Sequence, residues 1–113
     1  MGQPIRVHSG ADGDETLRID LSGEIDFTNA TPVAGTVRDS VAQARPRAVR
    51  VDLAEVTFLD SSGVGVLVVA HKAAAAAGAT YQITGPNTEV YEQLRMTGLV
   101  ELFGIDPPRV SVR

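Results

Sequence analysis

Thr57-Phe58-Leu59-Asp60-Ser61-Ser62-Gly63-Val64-Gly65 stands between two apolar runs, and its reading decides the fold. Upstream, Val49-Arg50-Val51-Asp52-Leu53 alternates with the two-residue period of a half-buried strand, and a short loop is expected after Leu53. Downstream, Val64-Gly65-Val66-Leu67-Val68-Val69-Ala70 taken alone passes for a buried strand. Asp60 decides for a helix, because a carboxylate at that place accepts a backbone N–H that the first turn leaves without a partner. His71-Lys72-Ala73 and the alanines to Ala77 then continue with good helix formers before Gly78. This largely apolar helix is expected to be mostly buried. Ser61 and Ser62 fall in its first turn, where the helix end carries partial positive charge. A hydroxyl there can hold a phosphate, or carry one that a partner reads.

Working outward, Ile5-Arg6-Val7-His8 and Thr16-Leu17-Arg18-Ile19-Asp20-Leu21 alternate, and the cluster Gly10-Ala11-Asp12-Gly13-Asp14 joins them as a β-hairpin. Gly23-Glu24-Ile25-Asp26-Phe27 leads out of the second strand. Thr31-Pro32 predicts a helix start, with a hydroxyl cap and proline in the first helical position. Val33, Val37 and Val41 recur on one face until Arg45-Pro46 ends the helix. Tyr81-Gln82-Ile83-Thr84 reads as a fourth strand, stopped by Gly85-Pro86. Asn87 caps a third helix with Val90, Tyr91 and Leu94, ending at Gly98 in the C′ position. Leu99 to Phe103 is expected to cover an edge of the core. Val110 and Val112, after Pro107-Pro108, are a candidate edge strand. The order β-β-α-β-α-β-α predicts an α/β domain with a mixed, mainly parallel sheet.

The 113 residues are expected to form one domain, with a core over about 5–103 and a tail over 104–113. With 43% hydrophobic residues and few aromatics, the core must be built from Val, Leu, Ile and Ala. A net charge of −4 without a basic block argues against direct nucleic-acid binding. The chain has no cysteine, which excludes thiolate chemistry and suits a reducing cytosol. The first residues lack the apolar core of a signal peptide, and no run is long enough to span a bilayer. The expectation is a soluble cytoplasmic protein.

Catalytic equipment is thin. A serine hydrolase needs a base beside Ser61 or Ser62, and the chain has only His8 and His71. On the helix reading His71 lies about 15 Å along the axis from Ser61. Glu24 and Asp26 could do acid/base work or bind a metal, but no third ligand accompanies them. Asp12-Gly13-Asp14-Glu15 lacks the distal glutamate of a calcium loop and reads as a turn. Gly63-Val64-Gly65 lacks the third glycine and the lysine of a nucleotide fingerprint. Both glycines are expected at close-packing positions in the buried helix. Arg45, Arg47 and Arg50 read as solvated charges.

Gly23-Glu24-Ile25-Asp26, Val51-Asp52-Leu53, Val56-Thr57-Phe58-Leu59-Asp60-Ser61-Ser62-Gly63-Val64-Gly65 and Met96-Thr97-Gly98-Leu99 together resemble the STAS domain of bacterial anti-sigma-factor antagonists, from about Ile5 to Phe103. The resemblance implies a four- to five-stranded mixed sheet with helices packed mainly on one face. It implies no enzyme activity and no cofactor. It makes Ser61 the serine phosphorylated by the anti-sigma factor, an ATP-dependent serine kinase. Unphosphorylated antagonist binds that kinase and frees the sigma factor, the phosphorylated form lets go, and a serine phosphatase restores it. Glu24 and Asp26, with Thr57, Asp60, Ser61, Ser62 and Gly63, are then the expected partner contacts, and Asp60 also an aid to phosphoryl transfer. The competing reading is a STAS subunit of a larger sensor or transport complex without a phosphoswitch. A standalone ligand-binding module would instead need a pocket near Phe27 and Phe58.

Overall fold

In the computed structural model, which describes residues 4–9 and 15–108, four strands form one sheet in the order β1-β2-β3-β4. β1 (Ile5–Ser9) pairs antiparallel with β2 (Thr16–Ile25), as a hairpin requires. β2 pairs in parallel with β3 (Ala48–Leu59), and β3 in parallel with β4 (Thr80–Thr84). The connections are α1 (Ala30–Ala44) and α2 (Ser61–Ala76), and α3 (Thr88–Met96) and the short α4 (Leu99–Phe103) follow β4. The hairpin turn expected over Gly10–Asp14 and the edge strand expected at Val110 and Val112 lie outside the described residues.

One face of the sheet is apolar and covered. Leu17, Ile19, Leu21 and Ile25 of β2, Val49, Val51 and Leu53 of β3, and Ile83 of β4 are buried. Between them Arg18, Arg50 and Gln82 point to solvent. Val33, Val37 and Val41 of α1 and Val66, Leu67, Ala70 and Ala74 of α2 close over the apolar face. None of the first ten residues of α2 except Ser61 is fully exposed, so the apolar run is a helix wedged between α1 and the sheet.

β3 does not stop at Leu53 as expected; it runs on to Leu59, and β2 continues to Ile25. The pairing Asp20↔Asp52 is followed by Ser22↔Glu55, and Gly23↔Val56 by Glu24↔Phe58. Each step inserts one extra residue into β3, which is a β-bulge. The bulges turn the inward spacing from two to three, so that Leu53, Val56 and Leu59 all reach the core. A period-two pattern therefore breaks while the strand persists, and no loop intervenes before the helix.

α1 also departs from expectation. It begins at Ala30 with Asn29 as N-cap, not at Pro32 with Thr31 as cap. The amides of Asn29 and Ala30 donate to the Asp26 carbonyl (3.1 and 2.8 Å), which winds the chain into the helix a turn early. Pro32 is then the third helical residue, still among those whose N–H has no acceptor within the helix, so its ring is tolerated. The helix ends at Arg45 (φ 46°), as expected, and Gly98 (φ 82°) follows α3 in the left-handed conformation that favours glycine.

Candidate functional site

Because β2 and β3 are parallel, their C-terminal ends lie at the same end of the sheet, and the two following loops meet there. Asp60 caps α2 in extended conformation (φ −99°, ψ −170°), and its Oδ1 accepts the Gly63 N–H at 2.9 Å. Its Oδ2 accepts the Phe27 N–H at 3.0 Å. The Asp60 N–H donates in turn to the Ile25 carbonyl at 3.4 Å. Both carboxylate oxygens are thus spent on backbone, so Asp60 joins the β2–α1 loop to the start of α2.

The β2–α1 loop is tied internally. Asn29 accepts the Asp26 N–H through Oδ1 (2.9 Å) and donates through Nδ2 to the Glu24 carbonyl (2.8 Å). The Asn29 side chain is therefore committed to the loop and does not cap α1. The Thr28 hydroxyl and amide both donate to Asp26 Oδ1, and these hydrogen bonds hold the Asp26 carboxyl below the usual carboxylate range. Asp26 is therefore charged at neutral pH. Whatever those bonds add to stability is lost only as the pH falls through that lowered value.

Gly63 is where α2 comes closest to β2. A Cβ built there would overlap the Ile25 carbonyl oxygen and stand 2.9 Å from Leu59 Cδ2. The expectation of close packing thus holds for Gly63. It fails for Gly65, around which a Cβ would meet nothing within 4 Å. The helix turns Gly65 away from that contact, two residues on.

Ser61, the first residue of α2, is exposed, and Ser62 half-buried. The Val64 N–H closes the first turn on the Asp60 carbonyl (2.9 Å), and Gly63 is held by Asp60 Oδ1. The N–H groups of Ser61 and Ser62 are left as the open donors of the helix end. No base is at hand. His8 bonds Asp20 through Nε2 (2.9 Å) on the hairpin, and His71 packs its ring against Tyr81 and Phe103 (centroids 5.4 and 5.0 Å). Among the described residues no group of three His, Cys, Asp or Glu side chains could hold a metal.

The structure thus brings Glu24, Asp26, Asp60, Ser61, Ser62 and Gly63 to one end of the sheet, with Thr57 on the exposed side of β3 at the second bulge. Sequence reasoning missed Asn29, whose Asx geometry after Gly-Glu-Ile-Asp was its only signal. It also missed Gln93, which donates from α3 to the Leu59 carbonyl. Phe27 and Phe58 stand 78% and 45% exposed.

Asp60→Ala removes the helix cap and the loop tie together. It is expected to cost about 1–2 kcal/mol, read as a lower urea midpoint at unchanged slope. Asp60→Asn, which keeps an oxygen for Gly63, should lose less.

Such a fold defines a small α/β domain with an exposed serine at a capped helix start and both histidines elsewhere. No helix among the described residues is long and apolar enough to cross a membrane. The sequence matches the STAS domain over residues 6–111, and the chain belongs to that family. It is similar to an anti-sigma factor antagonist from Mycobacterium paratuberculosis, with 25% identity and a TM-score of 0.75 over 91% of this chain and 86% of that one. SpoIIAA of Bacillus in its phosphorylated form gives 18% identity and a TM-score of 0.67, covering 93% of this chain and 91% of that one. A sulfate transporter family protein from Wolinella succinogenes gives 18% and 0.68, covering 82% and 78%.

Proposed function

We propose that this chain is an anti-sigma factor antagonist. Unphosphorylated, it binds an anti-sigma serine kinase and frees the sigma factor; phosphorylated at Ser61, it is released, and a serine phosphatase resets it. The observation that carries this reading is Ser61 itself: an exposed hydroxyl on a capped helix start with no histidine beside it. Such a hydroxyl is a poor nucleophile for its own chemistry and an accessible acceptor for another enzyme's. A phosphate there adds roughly −1.5 to −2 charge. The open N–H groups of Ser61 and Ser62 and the helix end favour that charge by about 0.3–1 kcal/mol, so the free domain tolerates it. The likeness to antagonists, one of them in a phosphorylated form, supports the same reading.

The test is incubation with the anti-sigma kinase of the same organism and ATP, followed by intact mass and peptide mapping. One phosphate on Ser61 is expected, and none on Ser61→Ala. A phosphate on Ser62 or Thr57 overturns the assignment. The likeness to a sulfate transporter family protein favours the second reading, an interaction subunit without a phosphoswitch, and that reading predicts no incorporation.

A further inference from the structure

Away from Ser61, α1 and α2 pack side by side, and their C-terminal halves leave a groove of about 440 Å³ between them. Each helix returns the chain to the start of a parallel strand, α1 to β3 and α2 to β4. Both helix C-termini therefore lie at the end of the sheet opposite Ser61. Ala76 is about 22 Å along α2 from Ser61 at the usual helical rise. Val41, fully buried, and Ala73, half-buried, give the groove an apolar base, with Ala76 and Ala77 on its α2 side. Arg38 and Arg45 stand on its α1 side, two turns apart on one stripe of the helix, or about 10 Å.

The charges distinguish this groove from an ordinary gap between helices. Arg18, Arg47 and Arg95 each have a carboxylate within ion-pair distance, at 3.9, 3.5 and 2.7 Å. Among the described residues neither Arg38 nor Arg45 has an acidic partner. The Arg38 guanidinium lies instead over Gly35, where an added Cβ would stand 3.8 Å from Nη2. No acidic side chain lines the groove, although the chain as a whole carries a net charge of −4. We propose that this groove docks an acidic amphipathic helix of a partner protein, at a site separate from the kinase contact proposed above. A helix laid between α1 and α2 meets small side chains, so its axis can come close and its apolar stripe can cover Val41 and Ala73. Acidic residues two turns apart on that helix meet Arg38 and Arg45 together, which fixes its register. An anionic bilayer fits less well, because the exposed Asp39 follows Arg38 on α1 and would face the same lipid charge. The inference does not depend on the phosphoswitch: with about 22 Å between the two places, the groove stays open whichever form Ser61 takes.

The probe is a synthetic peptide of about four helical turns, with a leucine and alanine stripe flanked by glutamates at seven-residue spacing. A twin peptide carries lysines in place of the glutamates. Each is titrated into nitrogen-15-labelled protein while the amide resonances are followed. The glutamate peptide is expected to move the amides of Val41, Arg45, Ala73 and Ala76 and to leave those of Ser61 and Gly63 in place, and the lysine twin to move neither set. Arg38→Ala and Arg45→Ala should each raise Kd about threefold, and the double reversal Arg38→Glu with Arg45→Glu about 30-fold or more. Arg50→Ala, on the helix-free face of the sheet, should stay within about 1.5-fold of wild type. Kd should rise with salt. Thermal melting checks that these exposed substitutions leave the fold intact. Ser61→Asp should keep the wild-type Kd, so failure of the phosphoswitch and failure of the groove are told apart. Groove amides that stay in place, a lysine twin that binds as well, or a Kd unmoved by the arginine variants would each overturn the proposal. Groove shifts with phosphatidylglycerol vesicles and none with the glutamate peptide would make this a lipid-binding face and overturn the helix.

Discussion

Gly63→Ala is expected to lower stability by about 3 kcal/mol, at the upper end of what overpacking costs. The reason is backbone, not side chain. The Ile25 carbonyl oxygen that a new methyl would overlap is held in place by the Asp60 N–H, and Ile25 itself is fully buried. It cannot rotate away as the end of a flexible side chain could. Leu59 Cδ2, the second obstacle, belongs to another fully buried residue. Relief therefore requires moving the start of α2 off β2, which also lengthens the Asp60 contacts to Gly63 and Phe27. For a domain of this size the loss reads as a fall in Tm of about 10 °C or more. Gly65→Ala is the internal control. It has open space around its Cβ and sits in a helix interior, so it should gain about 0.5–1 kcal/mol. Two glycines two residues apart thus respond with opposite sign, which no general effect of alanine on helix propensity would produce. Equal responses in thermal melts would refute the close approach at Gly63.

That contrast shows what was legible in the sequence. The helix over the ambiguous apolar run was readable because its signals are local: a capping carboxylate at Asp60, helix formers after His71, and a glycine stop. The hairpin, β4 and α3 with its Asn87 cap followed from equally local patterns. β3 beyond Leu53 was not readable, because its two bulges exist only relative to β2 and the strand's own period is lost where they occur. The start of α1 was misplaced for a similar reason. Thr31-Pro32 is a good local signal, but the Asp26 carbonyl captures the preceding amides first. At the site, Ser61, Glu24 and Asp26 stood out by type and by resemblance to a family. What joins them did not: the reach of Asp60 to Phe27 spans the whole of α1 and β3, and the Ile25 carbonyl that excludes a side chain at Gly63 carries no mark in its residue type. The hydrogen bond by which Gln93 fastens α3 to the Leu59 carbonyl is again long-range.

On the function proposed above, phosphorylation of Ser61 is expected to weaken binding of the proposed anti-sigma kinase by about a thousandfold while leaving the fold of the free domain in place. In the free domain the phosphate meets two open N–H groups and the positive end of α2. The Asp60 carboxylate next to it is already held by Gly63 and Phe27, so a displaced carboxylate is not the first consequence. Melting should therefore shift little, because the helix-end gain of about 0.3–1 kcal/mol is opposed by repulsion from the neighbouring Asp60 carboxylate. In the complex the same group faces whatever packed on the bare hydroxyl. Should that surface present a carboxylate or the terminal phosphate of a bound nucleotide, a like charge at about 4 Å near a protein surface costs on the order of 4 kcal/mol, close to three decades in Kd. Ser61→Asp carries less charge and fewer acceptors, so its loss should run in the same direction and be smaller, with Ser61→Ala retaining full affinity. Calorimetric titration of the three forms against the kinase, beside their melting curves, separates a charge switch from a folding effect. A phosphorylated domain that melts much earlier than the unmodified one would place the release in unfolding of the α2 terminus. One that binds as tightly as Ser61→Ala would leave Ser61 with no part in the switch.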